Sequence, residues 1–176
     1  MQFRDLKQQY QVLKTDIDKA ILDVAASGAY IMGPQVKELE RQLADYAGTK
    51  HCISCASGTD ALTLALKAWG IQRGDAVFVP DFTFFASSEA VSLEGATPVF
   101  IDVDRETFNI NPVDLENKIE ATIQKRKLTP KVIIAVDLFG LPANYPAIRK
   151  IADNHGLLIL EDGAQSFGSA VNGKRS

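Results

Sequence analysis

The chain has 176 residues, 46% of them hydrophobic and 23% charged, with a formal net charge of −3. That length supports one domain with a real core, and the balance is that of an ordinary globular protein. The basic residues are scattered, which argues against a nucleic-acid partner, and no apolar run approaches the ~20 residues that cross a bilayer.

The start, MQFRDLKQQY, lacks the apolar stretch of a secretory signal, so no membrane partner and a cytoplasmic location are expected. Phe3, Leu6, Tyr10, Leu13, Ile17 and Ile21 recur at helical intervals and predict a helix over 3–25. The loop SGAYIMGPQ follows, with Gly28, Gly33 and Pro34. Val36, Leu39, Leu43 and Tyr46 predict a second helix, and Gly48 is its stop signal. These make a helical segment, 1–48, ahead of an α/β core, 49–176.

The core is expected to open with a strand, HCISC, at 51–55. This run holds both cysteines of the chain, Cys52 and Cys55, too few for a disulfide framework. Beside His51 they resemble a redox pair or half of a metal site. In a strand, however, they point to opposite faces, and no second cysteine pair completes a zinc site. Both are expected as small core residues, with no metal bound.

Further strands are predicted at 76–80, 98–103, 131–138 and 157–162. Helical patterns lie between them. One carries Leu62, Ala65, Leu66 and Trp69, and another covers 85–93. A third has Asn111 as N-cap and Pro112 at the first helical position, followed by Leu115, Ile119 and Ile123. The last covers 145–154. Several strands are apolar throughout, as strands buried on both faces are, and such strands are typically parallel. The fold class is therefore α/β, a mainly parallel sheet with helices on both faces. The tail, AVNGKRS, carries the hairpin signal Asn172-Gly173 with too little chain after it for a return strand. The sequence is thus expected to be a piece of something longer.

In open α/β sheets ligands bind at the carboxyl ends of strands. Ser57, Gly58 and Thr59 fall where the first strand is expected to turn into a helix, whose free N–H groups and partial positive charge suit a phosphate. The same three residues also suit a capped helix start with no ligand. Phe82, Phe84 and Phe85 cannot all face the core, so at least one is expected to project from the strand end, where a planar aromatic would suit a flat ring; the plainer alternative is that they simply pack. The run LLILED drives a strand, expected to be central, into Glu161 and Asp162. A partly buried carboxylate needs a cation or strong donors, although an acid at a turn is the plainer reading. A cofactor with a phosphate at one end and a ring nitrogen at the other would satisfy both sites. Pyridoxal 5′-phosphate (PLP) is such a molecule, with Asp162 paired to its pyridine nitrogen and Gln165 near a ring substituent.

The segments FRDLKQQY, SGAYIMGPQVKELE, SGTDALTLAL, PDFTFFASSEAVSLEGATPVFIDVD, VDLFGLPANY and LEDGAQSFGS, in this order and spacing, resemble the DegT/DnrJ/EryC1/StrS family of sugar aminotransferases. The resemblance covers essentially the whole chain. It implies the N-terminal part of a PLP fold type I large domain over 1–176, with the C-terminal small domain absent. It also implies a homodimer, L-glutamate as amino donor and a nucleotide-linked keto-sugar as acceptor. By resemblance Asp162 is the pyridine-nitrogen acid and Gln165 a cofactor contact. Gly58, Thr59 and Asp60 form the phosphate turn, Phe84 stacks on the ring, and Tyr30 and Gly33 lie near the substrate. Asp137 stands where many members have His. The family's Schiff-base lysine lies downstream of EDGAQSFGS, and Lys174 has the wrong context for it. The isolated chain is therefore expected to be inactive. The start and the EDGAQSFGSAVNGKRS run are most similar to enzymes acting on UDP-linked 3-keto sugars, such as 3-oxo-N-acetylglucosaminuronate, in surface polysaccharide synthesis. The alternative is a non-catalytic relative that binds PLP or a sugar nucleotide without turnover. A dinucleotide enzyme is set aside because no G-x-G-x-x-G follows the first strand.

Overall fold

The computed structural model describes residues 5–175, so Phe3 lies outside the described residues. The chain divides into two compact units, Met1–Ser54 and Cys55–Ser176, a little after the 48/49 boundary read from the sequence.

The first unit holds α1 (Leu6–Ser27) and α2 (Pro34–Ala47). The Asp5 side chain caps α1 by accepting the Gln8 N–H at 2.9 Å, and Gly28 ends it in the left-handed conformation. The apolar stripe that predicts α1 is not buried: Leu6, Leu13 and Ile21 are all exposed. Gly33 starts α2, where an added Cβ would meet the Ala29 carbonyl oxygen at 2.5 Å, so only glycine fits. Gly48 stops the helix as expected, with φ 69°.

No strand forms over 51–55, contrary to the sequence reading. A strand is held by a neighbour's ladder of hydrogen bonds, and no described strand pairs with this segment. Ser54 is tied to α2 instead, donating its N–H (2.8 Å) and its hydroxyl (2.7 Å) to Glu40 Oε1. Those bonds, the backbone one first, hold the Glu40 carboxyl below its usual range. Cys52 is half-buried and Cys55 exposed, so the expectation of two core cysteines fails with the strand that required it.

The second unit is a sheet covered on both faces. Its elements are α3 (Gly58–Ala68), β1 (Asp75–Pro80), α4 (Ala86–Leu93), β2 (Thr97–Ile101), α5 (Pro112–Lys125), β3 (Thr129–Val136), α6 (Tyr145–His155) and β4 (Leu158–Asp162). The four strands run in the order β2-β1-β3-β4, all parallel. Alternate residues of each central strand serve opposite cores. Ala76, Phe78, Ile133 and Ala135 pack with Leu115 and Ile119 of α5 and Ile148 and Ala152 of α6. Val77, Val79, Ile134 and Val136 pack with Leu62 and Leu66 of α3 and Ala90 and Val91 of α4.

Uniform burial holds for β1, every residue of which is buried, and for most of β3. It fails for β4, which is an edge strand of this sheet and not the central strand expected, with Leu158 at 44% exposure. The hairpin correction runs the other way. β5 (Ala170–Val171) and β6 (Lys174–Arg175) pair antiparallel across Asn172 and Gly173, at φ 52° and 78°. Two residues on each side suffice for this minimal return, and the turn takes the positive φ that Asn-Gly supplies. No helix among the described residues is long and apolar enough to cross a membrane.

The α5 start follows its sequence signal closely. Asn111 Oδ1 accepts the N–H of Val113 (2.9 Å) and Asp114 (3.3 Å), and Pro112 needs no acceptor. Asn111→Ala should therefore lower stability by about 1 kcal/mol in chemical denaturation. An unchanged midpoint would mean that the cap contributes nothing.

Candidate active site

Parallel strands deliver all their carboxyl ends to one edge of the sheet, and a cavity of about 230 Å³ opens there in the second unit. Gly58, Thr59 and Leu62 of α3 line it, with Thr83 and Phe84 from the β1–α4 connection and Ala86 at the start of α4. Val136 at the end of β3, Asp162 at the end of β4, and Ala164 and Gln165 just beyond complete the wall.

The α3 end of the cavity is a donor site. Ser57 Oγ accepts the Asp60 N–H at 3.1 Å, and the Ser57 carbonyl accepts the Ala61 N–H at 3.0 Å. The cap thus serves the later N–H groups of the first turn and leaves those of Gly58 and Thr59 at the cavity wall. Asp60 is exposed and is not among the residues lining the cavity, although the family resemblance grouped it with Gly58 and Thr59.

The β4 end is an acceptor site. Asp162 Oδ2 accepts the Ser87 hydroxyl at 2.8 Å, and Oδ1 accepts the Ala164 N–H at 3.3 Å. Ser87 is fully buried, and its Oγ also lies 3.1 Å from Thr83 Oγ1. A carboxylate can only accept, so the single Ser87 hydrogen goes to Asp162 and Thr83 donates to Ser87. The order Thr83 to Ser87 to Asp162 carries a string of donors from the cavity wall to the carboxylate.

Between these ends the wall is largely apolar, with Leu62, Ala86 and Val136. Phe84 stands on it at 74% exposure. Phe82 and Phe85 are exposed too, in keeping with the expectation that at least one of the three would project, but only Phe84 lines the cavity. Gln165 Oε1 accepts the Phe139 N–H at 2.6 Å.

The structure thus brings together Gly58, Thr59, Phe84, Asp162 and Gln165. Tyr30 and Gly33 belong to the first unit and have local roles there: the Tyr30 hydroxyl donates to the Ala25 carbonyl at 2.9 Å, and Gly33 caps α2. Lys174 stands in β6 beside Tyr145, Arg149 and Glu161, away from the cavity wall. Asp137 is fully buried and does not line the cavity either.

Sequence reasoning missed Thr83 and Ser87. A signal for Ser87 existed: it shares a helix face with Ala90 and Val91, so a polar residue stood on a stripe bound for the core. Its partner, 75 positions away, was not readable.

The donor set fits pyridoxal phosphate: two N–H groups at a helix start for a phosphate, an apolar wall with an aromatic for a ring, and a braced carboxylate for a ring nitrogen.

A family model described as the DegT/DnrJ/EryC1/StrS aminotransferase family matches residues 11–176. The chain is 47% identical over 176 residues to a UDP-2-acetamido-2-deoxy-3-oxo-D-glucuronate aminotransferase of Pseudomonas aeruginosa, covering all of this chain and 47% of that protein. Among solved structures, a DegT DnrJ EryC1 StrS aminotransferase from Brucella abortus superposes with a TM-score of 0.97 at 50% identity, over 99% of this chain and 47% of the other. A Streptococcus pneumoniae sugar aminotransferase in its PLP form gives a TM-score of 0.80 at 31% identity, over 89% of this chain and 42% of the other. The chain thus spans about half the length of the relatives it matches. Its α/β layer is that of the PLP fold type I aminotransferases. With the family model matching nearly end to end, the chain belongs to the DegT/DnrJ/EryC1/StrS aminotransferase family.

Proposed function

We propose that this protein is a PLP-dependent aminotransferase that moves an amino group from L-glutamate to a keto carbon of a nucleotide-linked sugar, and that it works as a homodimer. A UDP-linked 3-keto sugar is the favoured acceptor, because the Pseudomonas aeruginosa relative is named for one, and surface polysaccharide is the destination we propose for it. The observation that carries the reading is the braced Asp162 carboxylate, which shares one cavity with the N–H groups of Gly58 and Thr59.

Each residue has a definable task. The Gly58 and Thr59 N–H groups, at the positive end of α3, bind a phosphate dianion. Phe84 offers its face to a flat ring, and Leu62, Ala86 and Val136 keep water from the space between the polar ends. Bound here, pyridoxal phosphate supplies an electron sink for moving an amino group between substrates. Asp162 holds a proton on the ring nitrogen, since an anionic partner favours the charged form of a base. Ser87 and the Ala164 N–H keep the carboxylate aimed by occupying one lone pair on each of its oxygens. Among the described residues lining the cavity there is no lysine, so this chain's share of the chemistry is to bind, orient and hold that proton.

Two variants test this in protein expressed from its complete reading frame. Asp162→Asn keeps the shape of the side chain and removes its charge. A lost charge-assisted hydrogen bond costs about 1.5–3 kcal/mol, and each ~1.36 kcal/mol is tenfold in rate. Turnover of the keto-sugar nucleotide should fall about ten- to a hundredfold with the cofactor retained, and near-full activity would refute the assignment. Ser87→Ala removes only the brace. It should cost about three- to tenfold in turnover, in line with one hydrogen bond of about 1 kcal/mol. A loss matching that of Asp162→Asn would mean that Ser87 does more than aim the carboxylate.

A further inference from the structure

After β3 the chain makes a tight turn, Leu138–Gly140, and Phe139 there takes φ 56° and ψ 18°. A non-glycine residue in this left-handed region costs on the order of 1 kcal/mol or more, so its surroundings must hold it. Two buried polar side chains do so. Asn109, 5% exposed, accepts the Leu138 N–H with Oδ1 (3.3 Å) and donates from Nδ2 to the carbonyls of Leu141 (3.0 Å) and Pro142 (3.2 Å). Asp137, fully buried, accepts the Ala143 N–H (2.9 Å) and the Tyr145 hydroxyl (2.7 Å) on Oδ1, while its own N–H donates to the Asp162 carbonyl (3.2 Å). Burial, and then the bond to Asp137, push the Tyr145 phenol well above its ordinary range, so Tyr145 stays a donor. The turn is clamped along its length by groups that line no part of the cavity.

The clamped turn meets the cavity wall through the Phe139 N–H, which donates to Gln165 Oε1 at 2.6 Å. The contact is close on its other side too, since a Cβ on Gly140 would lie 3.2 Å from the Gln165 carbonyl oxygen. A glutamine amide can turn either end to a ligand. Here the oxygen holds the Phe139 N–H, which fixes the end of the amide that faces the turn and leaves the NH2 group as the uncommitted end. We infer that Asn109 and Asp137 are positioning residues: by clamping the Leu138–Ala143 segment they fix the Gln165 amide so that it offers a donor, and the cavity therefore selects a ligand with a hydrogen-bond acceptor opposite Gln165. The ligand half of this statement rests on the cofactor reading above; the clamp does not.

The test has one arm that needs no ligand. In 1H–15N spectra of the protein expressed from its complete reading frame, the Gln165 NH2 pair is assigned by its loss in Gln165→Leu. Asn109→Ala should move that pair to the shifts of a free amide and speed its exchange with water several-fold. Asp137→Asn keeps an oxygen acceptor for the Ala143 N–H and should leave the pair near its original place. The second arm titrates pyridoxal phosphate by absorbance. Gln165→Leu and Asn109→Ala should each weaken binding about three- to tenfold, the scale of one neutral hydrogen bond. The double variant should bind no more weakly than either single one, because both remove the same contact. An unmoved Gln165 pair in Asn109→Ala, or losses that multiply in the double variant, overturns the proposal. If Asn109→Ala does not fold, Tyr145→Phe removes a donor to Asp137 at nearly constant volume and carries both arms. A protein that binds no pyridoxal phosphate defeats the functional reading alone, and the spectra still decide the clamp.

Discussion

The Ser87 hydroxyl donates to Asp162 across 75 positions of sequence, and the site depends on the constraint that makes this possible. In a parallel sheet every strand leaves by the same edge. β1 ends at Pro80, and the chain turns through Thr83 and Phe84 into α4, which carries Ser87. β4 ends at Asp162, two places along the sheet from β1, with β3 between them. The register pairs Val136 with Asp162, so the carboxylate emerges level with the last apolar residue of β3. An antiparallel neighbour would have sent one of these ends to the far side. The α3 helix then needs only to start at the same edge for its free N–H groups to face the carboxylate across an apolar gap.

That geometry answers the oddity of a core strand running into two acids. Asp162 is half-buried, and an unpartnered carboxylate there would be costly. The Ser87 hydroxyl and the Ala164 N–H occupy one lone pair on each oxygen and leave further acceptor capacity unspent. A carboxylate held in place and still able to accept is what a protonated ring nitrogen needs. Behind it, Asn109 and Asp137 hold the neighbouring turn in a conformation that Phe139 would not choose. The strain is local, and the two side chains that sustain it are buried.

Much of the layout was legible because it rests on local chemistry. Asn111 with Pro112, and Gly48, mark real helix ends, since caps act within one turn. The uniformly apolar runs of β1 and β3 mark strands with both faces covered. The segment 51–55 misled because a strand is a property of a pair, and its apolar residues say nothing of a missing neighbour. β4 misled in the same way: LLIL reads as central, yet the strand lies at an edge. In the site, Gly58, Thr59, Asp162 and Gln165 announced themselves through a helix start and a strand end. Ser87, Thr83 and Asn109 did not, because their roles exist only once distant strands have paired. The resemblance grouped Asp60 with the phosphate turn, whereas its side chain stands outside the cavity wall.

The central claim is that one ligand spans the α3 start and the Asp162 carboxylate. Titrating pyridoxal phosphate into 15N-labelled protein while following the backbone amides of Gly58, Thr59 and Ala164 tests it most directly. The first two mark the phosphate end, and the third is bonded to Asp162. A single ligand predicts that all three shift along one saturation curve with one dissociation constant. Shifts at Gly58 and Thr59 with Ala164 unmoved, or two curves with separate midpoints, would contradict the account.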